Sequence, residues 1–285
     1  MSDTLLLSLK PQEHIPIYQL DGDTIFVYTS DDPAFHGFGG SHRNDFFEII
    51  WFTSNADVHY IDFTPHPILK DTVYLLGRNQ VHAIPGSKPA ARVIAFSREL
   101  MYAIEEDHLR YLFLPFTNDG ITIPPDMVEP MAHLFDLMHL ECKTKADIGV
   151  LHLYLRLFLI HLYRFSQTLS SSIALHDERV KKIYILISDH YKEERNVTFY
   201  ANAVNLTPKR LNEVLKERLG VTVTQIIHTY LVIEAKRQIL IGKRTFKEIA
   251  FELGFSEQAY FSRFFKKQTG ITPETFQQVA LGIFR

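Results

Sequence analysis

The chain is 285 residues long, 46% hydrophobic and 13% aromatic, with a formal net charge of −3. That length suggests two domains rather than one, and the apolar content is enough for real cores. Cys142 is the only cysteine, which excludes internal disulfides and clustered thiolate metal sites.

The charge is unevenly spread. From His176 onward there are 18 Lys and Arg against 12 Asp and Glu, and before it 12 against 21. A basic C-terminal part on an acidic body fits a DNA-binding module joined to a part that should avoid DNA, although a solvated basic face would give the same count. No basic–apolar signal segment opens the chain. The most apolar run, Ile148 to Phe165, is interrupted by His152, Arg156, His161 and Arg164. No membrane span is therefore expected, and the chain is expected in the cytoplasm.

Residues 1 to about 123 read as mainly β. Short apolar runs (TIFVY, FFEIIWF, VHYIDF, TVYLL, ARVIAF) recur between Asp, Gly, Pro and Asn turns, a spacing that predicts a compact barrel or sandwich. Trp51, Phe52, Tyr60, Phe63 and Tyr74 read as its core. From Ile121 the character changes: TIPPDM breaks the chain and starts helices at about Asp126. Val128, Met131, Leu134, Phe135 and Met138 form one stripe. After the turn ECKTKAD, the next helix is apolar on more than one side, with Leu151, Leu155, Phe158, Leu159 and Leu162 on one face and Val150, Leu153, Tyr154 and Leu157 elsewhere. An extra apolar face needs a second surface, from another chain or from the same subunit. SQTLSSSIAL, 166–175, reads as a linker. A helix over 176–194 follows, with Val180, Ile183, Tyr184, Leu186 and Ile187 inward, and Thr198 reads as the N-cap of the next helix.

Lys247 to Phe276 reads as a helix-turn-helix. Ile249, Ala250 and Leu253 are apolar at helical spacing, Gly254 suits a helix end that needs positive φ, and Ser256 offers an N-cap. The second helix is expected to bury Tyr260, Phe261, Phe264 and Phe265 and to turn Gln258, Ser262, Arg263, Lys266 and Lys267 outward. Polar and basic groups on such a helix suit base edges in a major groove, although helix–Gly–helix corners also occur in enzymes and bundles. An upstream copy, Tyr200 to Gly220, repeats the layout: Ala203 pairs with Ala250, Leu206 with Phe255, Thr207 with Ser256, Leu211 with Phe261 and Gly220 with Gly270. One extra residue falls between cap and core in the downstream copy. Val223 to Ile241 has no breaker and reads as one connecting helix. Two motifs on a stiff helix could enter successive major-groove faces about 34 Å apart.

The run of Ala250, Gly254-Phe255, Tyr260-Phe261-Ser262-Arg263, Phe265-Lys266-Lys267, Gly270, Thr272-Pro273 and Phe276 resembles the C-terminal signature of AraC/XylS-type transcription regulators. The resemblance covers about 177–278. It implies a seven-helix domain with two recognition helices on double-stranded promoter DNA. Carried over by position, the base-facing places are Lys209, Arg210, Asn212 and Glu213 on the first helix, and Gln258, Ala259, Ser262 and Arg263 on the second. Lys266 and Lys267 join them in the interface, Lys267 toward phosphate. The first motif departs from the usual pattern, with Glu213 where Arg is common and Leu215 where Phe is common. Glu213 could accept from a cytosine amino group or merely avoid phosphate. A lone cysteine argues against the family's DNA-repair relatives.

GSHRNDFFE, with Gln80-Val81-His82 further on, resembles the cupin-like sensor domain of such regulators. His42, Asn44, Glu48 and His82 are then the candidate effector-binding residues. Asn44 stands where a second histidine is usual, so a cation held by His42, Glu48 and His82 is the weaker alternative to polar groups at a barrel mouth. The resulting expectation is an α+β chain. Residues 1–165 form a cupin-like β-barrel with a dimerising helical hairpin at 126–165, and 176–285 form an all-α domain with two helix-turn-helix motifs. The function implied is a DNA-binding regulator, not an enzyme, gated by a small-molecule effector, with RNA polymerase as a further partner and no cofactor or metal. The alternatives are a cupin-type metal-dependent enzyme with a DNA-binding tail, and a regulator controlled by a partner protein. Activation and repression are not distinguished.

Overall fold

The computed structural model describes residues 17–20, 22–32, 40–86, 89–115, 120–169 and 178–284. The chain divides into two compact units, the first ending at Leu169.

Among the described residues of the first unit, ten strands form two five-stranded sheets. They are β1 (Ile17–Tyr18), β2 (Ile25–Thr29), β3 (His42–Asn44), β4 (Phe47–Phe52), β5 (Ala56–Ile61), β6 (Thr64–Ile68), β7 (Thr72–Leu76), β8 (Val81–Ala83), β9 (Ala91–Phe96) and β10 (Ile121–Thr122). One sheet runs β1-β3-β8-β5-β6 and the other β10-β7-β4-β9-β2. Because side chains alternate across a strand, β4 sends Ile50 and Phe52 one way and Ile49 and Trp51 the other. Ile50, Phe52, Tyr74, Leu76 and Val93 meet Ile61, Ile68 and Ile84 between the sheets. Ile49, Trp51, Val73, Leu75, Ile94 and Phe96 form a second core under the helices. Tyr60 is only half-buried. Phe63 is too, in a turn at φ 74°, so neither belongs to the core expected of them.

Two short helices, α1 (Arg98–Tyr102) and α2 (Asp107–Tyr111), precede the hairpin of α3 (Val128–Thr144) and α4 (Ile148–Leu169). α4 is long and apolar enough to cross a membrane by length and composition. Yet Leu151, Leu155, Phe158, Leu159 and Leu162 are all fully buried in the second core, so α4 is a core helix of this unit. Since α4 runs to Leu169, the linker expected at 166–175 begins inside the helix, and 170–177 lie outside the described residues.

The second unit is helical: α5 (Glu178–His190), α6 (Val197–Ala203), α7 (Pro208–Leu219), α8 (Val223–Ile241), α9 (Phe246–Glu252), α10 (Gln258–Thr269) and α11 (Pro273–Phe284). α8 is the connecting helix, opened by a capping box in which Thr222 and Gln225 satisfy each other's backbone N–H. Asn196, not Thr198, caps α6, its side chain accepting from the Thr198 N–H at 2.9 Å. An amide oxygen two residues ahead can reach the orphan N–H that the Thr198 hydroxyl cannot.

Candidate nucleic-acid interface

The two motifs share one layout, helix for helix. α6 and α9 are each seven residues long, and the buried pairs are Tyr200 with Ile249 and Ala201 with Ala250, rather than Ala203 with Ala250. α7 and α10 are each twelve residues long, with Leu211 matching Phe261 and Leu215 matching Phe265, and each ends in a left-handed glycine, Gly220 or Gly270. Thr207 caps α7 through a bond from the Arg210 N–H. Its counterpart is Glu257, which makes no side-chain cap, not Ser256. The extra residue therefore lies in the second motif's turn, ahead of the cap, and the recognition helices themselves are in register.

Phe261 and Phe265 fix the inward face of α10, one turn apart. Four aromatics cannot share that face: Tyr260 is 56% exposed and Phe264 only half-buried, contrary to the expectation that both are core. Opposite Phe261 and Phe265, the exposed residues Ala259, Arg263 and Lys266 form one stripe, flanked by Gln258 and Lys267. Ser262 is half-buried at its side. The Arg263 guanidinium lies 4.6 Å from the centre of the Tyr260 ring, which holds it against the helix by cation–π attraction. Tyr260 thus enters the site as the platform for Arg263.

On α7 the corresponding stripe is Lys209, Glu213 and Lys216, all exposed, with Arg210 beside it. Arg210 donates to Glu213 at 3.2 Å, so the acidic residue is partly neutralised before any DNA arrives. Asn212 is half-buried and its Oδ1 accepts from the Val223 N–H at 3.1 Å, a cap on the start of α8. That contact aims Asn212 at the protein interior, away from the stripe. Lys216 matches Lys266 in the sequence repeat, and the equal registers of α7 and α10 keep that pairing.

The candidate effector residues form a second constellation, between the sheets of the first unit. β3 and β8 pair His42 directly with His82, their rings 4.0 Å apart. The Glu48 carboxylate accepts from the Tyr28 hydroxyl at 3.1 Å and from the Asn44 amide at 3.0 Å, and lies 3.5 Å from His82 Nε2. His59, which no motif singled out, closes the cluster with Nε2 3.2 Å from His82 Nδ1. Burial raises the Glu48 carboxyl to about 7, partly offset by its bonds from Tyr28 and Asn44. Burial lowers His59 to about 3, helped by the neighbouring His66 and His42, and keeps His42 and His82 below the ordinary histidine value. With its ring neutral, His82 forms no ion pair with Glu48, and its Nε2 lies 3.5 Å from the carboxylate without making a hydrogen bond. His59 sits behind the His82 ring, on the side away from Glu48, and Asn44 presents its NH2 to Glu48. Among the described residues no group of three or more His, Cys, Asp or Glu is arranged to hold a metal ion.

Residues 200–278 match a family model described as a helix-turn-helix domain. The chain is 27% identical over 166 residues to the arabinose operon regulatory protein of Escherichia coli (strain K12), covering 57% of this chain and 56% of that protein. To the protein of the same name from Salmonella typhimurium it is 31% identical over 102 residues, covering 35% and 36%. To the HTH-type transcriptional activator RhaS of Salmonella paratyphi B it is 21% identical over 252 residues, covering 83% and 87%. The chain spans about half the length of the first of these relatives. Residues 200–278 thus carry the helix-turn-helix domain of that model, and the chain is similar to the arabinose operon regulatory protein and to RhaS.

Proposed function

We propose that the chain is a sequence-specific regulator of transcription, not an enzyme, which binds promoter DNA in the cytoplasm through α7 and α10. The observation that carries this reading is the register of the two motifs. Each presents a solvent-exposed stripe at equivalent positions, Lys209-Glu213-Lys216 and Ala259-Arg263-Lys266, on a helix whose opposite face is buried. Lys and Arg supply the salt-dependent phosphate attraction, and the stripe residues supply sequence preference. Enrichment of a random duplex library by full-length protein tests it. A two-part consensus is expected, and a pool no different from the input contradicts it.

The first unit is the sensor and dimerisation part. Leu137, Leu140, Leu153 and Leu157 on the α3–α4 hairpin are exposed, an apolar surface suited to a second copy of the chain. The cluster of His42, Asn44, Glu48, His59 and His82 offers the few polar groups in an apolar interior that a small effector needs. Effector binding acts on DNA only by favouring one arrangement of the dimer, and on RNA polymerase through that arrangement. Native mass spectrometry of the full chain with cell-extract metabolites tests the input. A retained small molecule supports effector control, and a bare protein in every extract favours a partner protein instead.

A further inference from the structure

The two motifs are joined twice. One join is α8, which runs from the end of the first motif to the start of the second. The other is the turn of residues 191–196, which precedes the first motif in sequence but touches the second in space. The turn is rooted in the first motif: Asn196 caps α6, and the fully buried Tyr200 donates its hydroxyl to the Glu194 carbonyl at 2.7 Å. Its far side meets the turn between α9 and α10. Arg195 donates to the Leu253 carbonyl, one of the orphan acceptors at the α9 C-terminus, and its guanidinium lies 4.7 Å from the Phe255 ring centre. The backbones nearly touch there. A Cβ on Gly254, already at φ +74°, would sit 2.8 Å from the Lys192 carbonyl oxygen and 3.1 Å from the Arg195 guanidinium.

A polar cluster locks the same joint from beneath. Buried Gln238 on α8 donates to Glu234 at 2.9 Å and to Glu252 of α9 at 3.0 Å, and accepts from Arg244 at 2.9 Å. Lys192 lies 3.9 Å from Glu234 and 3.7 Å from Glu252, so the strut and both helices share one set of charges. A neutral amide suits the hub because it donates to two carboxylates and accepts from a guanidinium at once.

We propose that residues 191–196 act as a strut which fixes the distance and angle between the two recognition helices, with Arg195 and Gln238 as its positioning residues. Neither residue is on the exposed stripes of α7 or α10, so each acts on DNA through geometry. The inference rests on the DNA-reading assignment and deepens it: the strut sets which spacing between the two half-motifs is preferred.

The test uses full-length wild type, Arg195→Ala and Gln238→Met. Probes carry the two-part site selected by the wild type, the same site with one or two base pairs added or removed between its halves, and versions with either half scrambled. Both variants are expected to lose about tenfold on the selected spacing, the scale of such couplings, while single-half probes change less than about twofold. Preference among spacings is expected to flatten in both. Equal losses on every probe would overturn the strut, since they mark lost phosphate contact or general unfolding. So would unchanged spacing preference in both variants. A wild type that selects no sequence overturns the DNA reading itself, and the strut with it.

Discussion

At the scale of single residues, Arg263 and Lys267 share a helix and a charge but not a task. Arg263 stands on the stripe facing away from Phe261 and Phe265, steadied by Tyr260, whereas Lys267 lies at its flank. Arg263→Ala is expected to cost about 1–3 kcal/mol on cognate DNA and much less on random DNA. Lys267→Ala should weaken both alike and lower the salt slope by about one. Equal losses for Arg263→Ala on both DNAs would remove it from base reading. In the first unit, Glu48 titrates at about 7 when folded, above the ordinary carboxyl value of 4.5. Between those values the folded chain keeps a proton that the unfolded chain has released, so its contribution to stability falls as pH rises through that window and stays low above it. Glu48→Gln should therefore gain thermal stability relative to wild type from pH 5 to pH 8, by up to about 3 kcal/mol. A difference that stays constant with pH would contradict the burial of that acid. Side-chain roles were the least legible level. Asn212 occupied a base-facing place by register, but its oxygen serves the Val223 N–H, a tertiary contact that no local spacing encodes. His59 joined the buried cluster only because β5 is laid beside β8.

At the scale of elements, local chemistry was written clearly in the sequence. α8 spans Val223–Ile241 and β9 spans Ala91–Phe96, both as the breaker-free apolar runs suggest. What periodicity could not supply was the choice among neighbouring candidates. Tyr260, Phe261, Phe264 and Phe265 are all aromatic, and helical geometry lets only one stripe point inward. Ser256 and Thr198 are good capping residues by type, but the chain places Glu257 and Asn196 at those positions. β6, Thr64–Ile68, was hidden by Pro65 and Pro67, which an edge strand tolerates; β6 lies at the end of its sheet. The hairpin carries its own prediction. Leu153 is 65% exposed and Leu140 59%, so a dimer through this face should be broken by Leu153→Glu with Leu140→Glu. Sedimentation of the full chain is expected to shift from dimer to monomer with the fold intact. A double variant that remains dimeric would place the contact elsewhere.

For the whole molecule, length and charge suggest two parts, an acidic one with β-forming runs and then a basic helical one, but a solvated basic face gives the same count and only the duplicated motif decides between the readings. The first unit ends at Leu169, a few residues beyond the expected boundary, because α4 continues for another turn through residues that look like linker. In the proposed function α7 and α10 read one DNA site together. Hydroxyl-radical footprinting of full-length protein on its selected sequence tests it most directly. Two protected tracts on one face of the duplex, about 34 Å apart, are expected, with the tract contacted by α10 lost in Arg263→Ala. A single tract, or two tracts that Arg263→Ala leaves unchanged, would contradict it.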